Sequence, residues 1–147
     1  MNLDPVNIEI MRLLKNGRKS AKAIADEIGV SHNTVRRRIE NLIQNEILEI
    51  KGLVATDNLP NHMLAIIGIN LRTRNLTKRV REICELEGVI SAGVVTGRYD
   101  IIALIMLNNE NDLLKFHTKQ MPNIKDITFT ETFVMYKNEN WKVPYVL

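Results

Sequence analysis

Between Gly29 and Leu42 the chain reads GVSHNTVRRRIENL, which sets three successive arginines, Arg36, Arg37 and Arg38, behind the polar residues Ser31, Asn33 and Thr34. Guanidinium groups donate in a fixed fork that suits phosphate oxygens and the guanine edge, while an amide and hydroxyls can read other base edges. A helix carrying this set could bind duplex DNA. The same residues could also form a plain solvated face, with Arg36 and Glu40 paired one turn apart. Helical geometry divides the arginines. At about 100° per residue, Val35, Ile39, Leu42 and Ile43 form one apolar stripe, Arg37 and Asn33 fall almost opposite it, and Arg36 and Arg38 fall on the two flanks. Arg37, Asn33 and Thr34 are expected at base edges, and Arg36 and Arg38 at phosphates on either wall of a groove. His32 points nearer the core.

A second polar group is Gly97, Arg98, Tyr99 and Asp100, between two apolar runs. By residue type it is a hairpin turn: glycine for positive φ, aspartate for a local side-chain hydrogen bond, tyrosine as an amphipathic cover. The three histidines, His32, His62 and His117, have no metal-ligand spacing, and no nucleophile elbow or phosphate loop accompanies them. Cys84 is the only cysteine, so an internal disulfide and a thiolate-rich metal site are excluded, and the thiol is expected to be packing. No cofactor or metal is expected.

The elements that must position these groups follow from local signals. Asp4 and Pro5 mark a helix start, with Leu3 and Ile8 as a hydrophobic staple, an inward stripe of Ile10, Met11 and Leu14, and Gly17 as the stop. A second short helix runs from Ser20 to Gly29 with Ile24, Ala25 and Ile28 inward. Ser31 caps the third, which carries the arginines. Two helices joined by a tight glycine turn are the helix-turn-helix signature.

From Ile47 to Pro60 an extended connector is expected to end in a turn. HMLAIIGINLR is apolar on both alternating faces, as a strand buried on two sides would be. A helix over Leu76, Val80, Ile83 and Cys84 stops at Gly88. VISAGVV and YDIIALIML make a hairpin, ENDLLKFHTKQMP a helix ending before Pro122, and IKDITFTETFVMYK a long strand. The order β-α-β-β-α-β predicts a ferredoxin-like sandwich, so the fold class is α+β. Two helices cover one sheet face. The other, with Ile67, Ile69, Ile101, Ala103, Ile105 and the strand from Phe129 to Met135 supplying apolar positions, needs a partner, and dimerisation through the sheets is the simplest remedy. Domain limits of 1–52, 53–61 for the connector and 62–147 follow.

The net charge of +3 is spread out: up to Ile50 there are eight Lys or Arg against seven Asp or Glu, and beyond it twelve against ten. A nucleic-acid reading therefore rests on where the charges sit. No apolar run suits a membrane span and no basic-then-apolar layout suits a signal peptide, so an intracellular, cytoplasmic protein is expected.

AIADEIGVSHNTVRRRIENL followed by a βαββαβ pattern with TGRYDIIALI in its hairpin resembles the Lrp/AsnC family of transcription regulators along essentially the whole chain. The resemblance implies an N-terminal DNA-binding domain and an AsnC-type effector domain. It implies homodimers that assemble to tetramers or octamers on double-stranded DNA, and an amino-acid effector held between dimers. It places that effector at Gly97, Arg98, Tyr99 and Asp100, where the carboxylate could accept an ammonium and nearby N–H groups could donate to a carboxylate. Thr130 and Thr132 are weaker candidates, since threonine is also a plain β-former. Sirohaem decarboxylases of haem biosynthesis share the architecture and supply an enzymatic alternative, but the converging histidines or arginines such a reaction needs are not visible.

Overall fold

The computed structural model describes residues 3–147, which fall into two compact units divided between Lys51 and Gly52. In the first, Asp4 caps α1 (Pro5–Leu13) by accepting from the Asn7 amide at 2.8 Å, with Pro5 at a position whose missing N–H costs nothing. The helix ends earlier than Gly17. Leu14 is its C-cap, and Asn16 turns the chain by accepting from the Lys19 amide at 2.9 Å through its carbonyl and from the Arg18 amide through its side chain. With no apolar residue from Lys15 to Lys19, a further helical turn would bury nothing. Leu3 and Ile8 are largely exposed, so the expected staple is not part of the core.

Ser20 caps α2 (Ala21–Ile28), and Gly29 ends it in the left-handed conformation at φ 71°. Ser31 then caps α3 (His32–Gln44) through the Thr34 amide at 3.1 Å. Ile10, Ile24, Ala25 and Val35 form the core, with Val6, Leu13, Leu14, Ile28 and Ile39 packed round it. The stripe of α1 is thus Val6, Ile10, Leu13 and Leu14, while Ile43, expected inward, is exposed.

The second unit holds a four-stranded antiparallel sheet of order β3-β4-β2-β5, formed by β2 (Met63–Leu71), β3 (Val89–Val94), β4 (Ile101–Leu107) and β5 (Ile127–Val134). This is the ferredoxin-like arrangement the pattern predicts. It is joined by α4 (Leu76–Cys84) and an irregular helix of one α turn, α5 (Leu113–Lys115), a π segment at Phe116–Gln120 and a 3₁₀ turn at Met121–Asn123. Pro122 lies inside that last turn, where its absent N–H is tolerated, instead of just beyond the helix. Cys84 is exposed on α4 and contributes no packing.

Two corrections concern the sheet. Ile67, Ile69, Ile101, Ala103 and Ile105 are at most 1% exposed and pack with Ile83, Phe116, Met121 and Ile124 under the helices, so they line the covered face, not the open one. The open face carries their alternates. Ile66 lies opposite Leu104 and Phe133, Gly68 opposite Ile102 and Glu131, and Asn70 opposite Phe129. With both faces apolar, period-2 alternation could not say which set the helices would cover.

The second correction is the connector. Residues 53–55 form β1 (Leu53–Ala55), which pairs with β6 (Lys142–Pro144) in the register Val54 to Val143. Asn138 fastens this ribbon by donating to the Asp57 carboxylate from its backbone at 3.1 Å and from its side chain at 2.5 Å. Val143 packs on Leu64 and Met106, so the tail covers one end of the open face and leaves Ile102, Phe129 and Phe133 exposed.

Candidate functional site

Two constellations carry the polar groups singled out in the sequence. On α3, Val35 and Leu42 are fully buried, while Asn33, Arg36 and Arg37 are exposed on the far side. Thr34 is half-buried and exchanges a hydroxyl hydrogen bond with Ser31 at 2.8 Å, which rigidifies the first turn. Arg36 lies 3.7 Å from Glu40 with both side chains mostly in solvent, an arrangement worth little energy and easily exchanged for another anion.

Arg38 departs from its expected place at a phosphate wall. Its Nη1 donates to Asp4 Oδ2 at 2.6 Å and to the side-chain oxygen of Asn7 at 2.9 Å, fastening α3 to the start of α1. Asn7 is almost fully buried, so this bond satisfies an acceptor that water cannot reach. The Arg38 guanidinium, followed by the Asn7 amide, holds the Asp4 carboxyl below its ordinary pKa. No local pattern links Asp4 and Asn7 to Arg38 across more than thirty residues, which is why helical geometry alone assigned Arg38 to the outer face.

In the second unit, the Val95 amide donates to the Asp100 carbonyl at 3.0 Å and closes the hairpin, with Gly97 at φ 120° in its turn. Asp100 also braces the scaffold. Its carboxylate accepts from the Leu71 amide at 2.8 Å and its own amide donates to the Ile69 carbonyl at 3.0 Å, locking the hairpin to the end of β2. Tyr99 lies back over the open face with its ring on Gly68, where any Cβ would come within 2.7 Å of it. Its hydroxyl donates to Glu131, the Arg98 guanidinium sits 5.6 Å above its ring and 3.5 Å from Glu131, and Phe133 meets it edge-on at 6.4 Å.

The expected effector residues therefore separate. Arg98 and Tyr99 meet at Glu131, Gly97 forms the rim, and Asp100 supports from behind. Thr130 and Thr132 lie on the covered face instead: Thr132 Oγ1 is 3.0 Å from His117 Nε2, and Thr130 lines a cleft with His117, Met121 and Asp126. Burial keeps the His117 pKa below its ordinary value. Glu131 went unnoticed in the sequence, although TFTETF placed it between Phe129 and Phe133 on one face, a lone charge among aromatic neighbours. His62 bonds the Pro60 carbonyl and approaches Tyr145, far from His117 in its partners. Among the described residues no group of acids, histidines or cysteine could hold a metal ion, and no helix is long and apolar enough to cross a membrane.

A capped helix with an outward basic face thus precedes a ferredoxin-like sheet with a tyrosine-bearing hairpin. The helix-turn-helix domain profile matches residues 3–51 and the Lrp/AsnC ligand binding domain profile matches residues 64–140. The chain belongs to the Lrp/AsnC family, and it is a helix-turn-helix transcriptional regulator of that type. It is 32% identical over 110 residues to the HTH-type transcriptional regulator LysM of Saccharolobus solfataricus, covering 74% of this chain and 76% of LysM. The structure of E. coli AsnC superposes with a TM-score of 0.71 at 25% identity, covering 94% of this chain and 95% of that one. A transcriptional regulator of Neisseria meningitidis in complex with L-Met shares the fold at a TM-score of 0.73 and 17% identity, over 99% of this chain and 96% of that one.

Proposed function

We propose that a unit of about residues 1–52 reads duplex DNA by laying α3 in the major groove. Arg37 and Asn33 face base edges, Arg36 leaves Glu40 for a phosphate, and the Ser31–Thr34 end of the helix meets backbone oxygens. Arg38 serves by holding α3 against α1. The observation that carries this reading is the single exposed face of α3, with Arg36, Arg37 and Asn33 opposite the buried Val35 and Leu42. Salt-dependent titration of the variants tests it. Arg37→Ala should cost about 1–3 kcal/mol on the preferred site and relax its sequence preference. Arg36→Ala should weaken all duplexes alike and flatten the salt slope by about 0.9. Equal losses for Arg37→Ala on specific and random DNA would remove the base-reading role.

The second unit, about 62–147 together with the β1 ribbon, joins two copies through the open sheet face, where Ile102, Phe129 and Phe133 are exposed in one patch. A two-fold dimer then meets two half-sites centred about 10 bp, or a multiple of it, apart. Higher assembly to tetramers or octamers follows the family pattern.

A small amino acid or related molecule modulates that assembly at Arg98, Tyr99 and Glu131. Glu131 can accept from an ammonium and Arg98 can donate to a carboxylate, the pair of charges that every free amino acid presents. The L-Met complex of the Neisseria meningitidis neighbour supports an amino acid as the ligand class. Thermal unfolding against the twenty amino acids, methionine first, tests this. A ligand at 100 times its Kd should stabilise the fold by about 2.7 kcal/mol. Glu131→Gln should abolish the response, and an unchanged response in that variant would move the site elsewhere.

A further inference from the structure

The stretch from Arg72 to Arg81, RTRNLTKRVR, holds five cations in ten residues and no acid, in a chain whose other charges nearly cancel. These cations do not share one fate. Arg79 is mostly buried and forms ion pairs with Glu82 at 2.7 Å and Asp126 at 2.6 Å. That arrangement engages both carboxylates within reach of Arg79, Lys78 adding only a loose 3.9 Å contact to Glu82. Arg72, Arg74 and Arg81 are exposed, as is Lys125 beside Asp126, and none of the four forms an ion pair among the described residues.

The backbone under them is fixed. The Arg72 amide donates to the Asp126 carbonyl at 2.8 Å, the Asn75 amide to Thr73 Oγ1 at 3.2 Å, and Asn75 caps α4 through the Lys78 amide. The Arg79–Asp126 pair closes the same corner. A rigid corner with two free guanidinium groups and an ammonium suits a regularly spaced polyanion better than it suits an isolated small anion, which would need the charges to converge.

We propose that Arg72, Arg74 and Lys125 form a second DNA contact on the second unit, one that binds phosphates without reading bases. It rests on the DNA-binding reading of α3 and extends it: α3 chooses the site, and this corner grips duplex running beyond it. Sequence preference is then set by the first unit alone, while length and salt dependence report the second.

The experiment compares full-length wild type, Arg37→Ala, and the triple variant Arg72→Ala/Arg74→Ala/Lys125→Ala. Each is titrated at several salt concentrations on a duplex limited to its half-sites and on one several helical turns longer. The triple variant should bind the short duplex like wild type and lose the extra affinity for the long one. Its salt slope on the long duplex should fall by about 0.9 for each phosphate contact removed, up to about 2.7 for three. Arg72→Lys/Arg74→Lys with Lys125 kept should preserve most of the slope. Wild-type binding by the triple variant on the long duplex at every salt concentration would overturn the proposal, and so would an equal loss on both duplexes. If Arg37→Ala also binds like wild type, the α3 reading fails with it; if Arg37→Ala loses specificity while the triple variant does not change, only the second contact is wrong. Because the three side chains are exposed, an unaltered thermal midpoint confirms that the fold is intact.

Discussion

The recognition helix and the central hairpin present their chemistry by opposite means. On α3 one stripe is buried and one face is free, so a single angular period separates scaffold from surface. At the hairpin the polar group, Tyr99 on Glu131 beneath Arg98, belongs to a sheet whose two faces are both apolar, and its place depends on which face the helices cover. A helix reveals its working face through hydrophobic contrast, whereas a doubly apolar sheet reveals it only through the layers packed around it.

The largest effect that can break this comparison comes from placing one charge on each face of the sheet. Ile105→Asp puts a carboxylate in the covered core, where an unpaired charge costs several kcal/mol, comparable with the whole stability of a domain at about 5–15 kcal/mol. The second unit should unfold or aggregate. Phe133→Asp, on the open face, should instead leave a folded monomer, because there it meets solvent until a second copy arrives. Circular dichroism and light scattering together distinguish these outcomes. A folded monomeric Ile105→Asp would reverse the assignment of faces.

A smaller effect sharpens the hairpin side. Gly68→Ala drives a methyl group into the Tyr99 ring, which cannot move aside without giving up Glu131. A loss of about 1–3 kcal/mol is expected from overpacking of this kind. Adding Tyr99→Ala should recover part of it, with a coupling of about 0.5–3 kcal/mol in a double-mutant cycle measured by chemical denaturation. Strict additivity would show that the ring and the glycine do not constrain one another.

What could be read from the sequence follows the same division. The three N-caps at Asp4, Ser20 and Ser31 and the left-handed Gly29 all arise from neighbours within a few residues, and they stand in the structure as the local signals require. The β1–β6 pairing joins segments nearly ninety residues apart and each only three residues long, too short to carry a period. Asp100 and Glu131 show the limit most sharply. The family resemblance offered Asp100 as the ligand group, yet the Leu71 amide of β2 engages its carboxylate, while Glu131, drawn from another strand, stands beside Tyr99 and Arg98. Side-chain chemistry is local information, but availability is decided by tertiary neighbours.

The smallest effect is a pH dependence that separates Arg38 from its two neighbours in sequence. Arg38→Ala leaves the Asn7 side-chain oxygen buried without its donor, a loss of about 1–3 kcal/mol, whereas Arg36→Ala removes an exposed pair and should change stability by less than about 1 kcal/mol. The Asp4 share of the clamp depends on ionisation. Hydrogen bonding to Arg38 lowers the folded-state pKa of Asp4 from its ordinary value near 3.8. A carboxyl with a depressed folded pKa contributes its full stability above the unfolded value and loses it as pH falls through the folded one. The stability gap between wild type and Arg38→Ala should therefore stay constant near neutrality and narrow only below about pH 4. The part due to Asn7, which does not titrate, should persist. Denaturation of the full chain followed across that range measures both parts, since Arg36→Ala should run parallel to wild type throughout. A gap that stays flat into strong acid would detach Asp4 from Arg38 and return the arginine to the outer face of α3, beside Arg36 and Arg37.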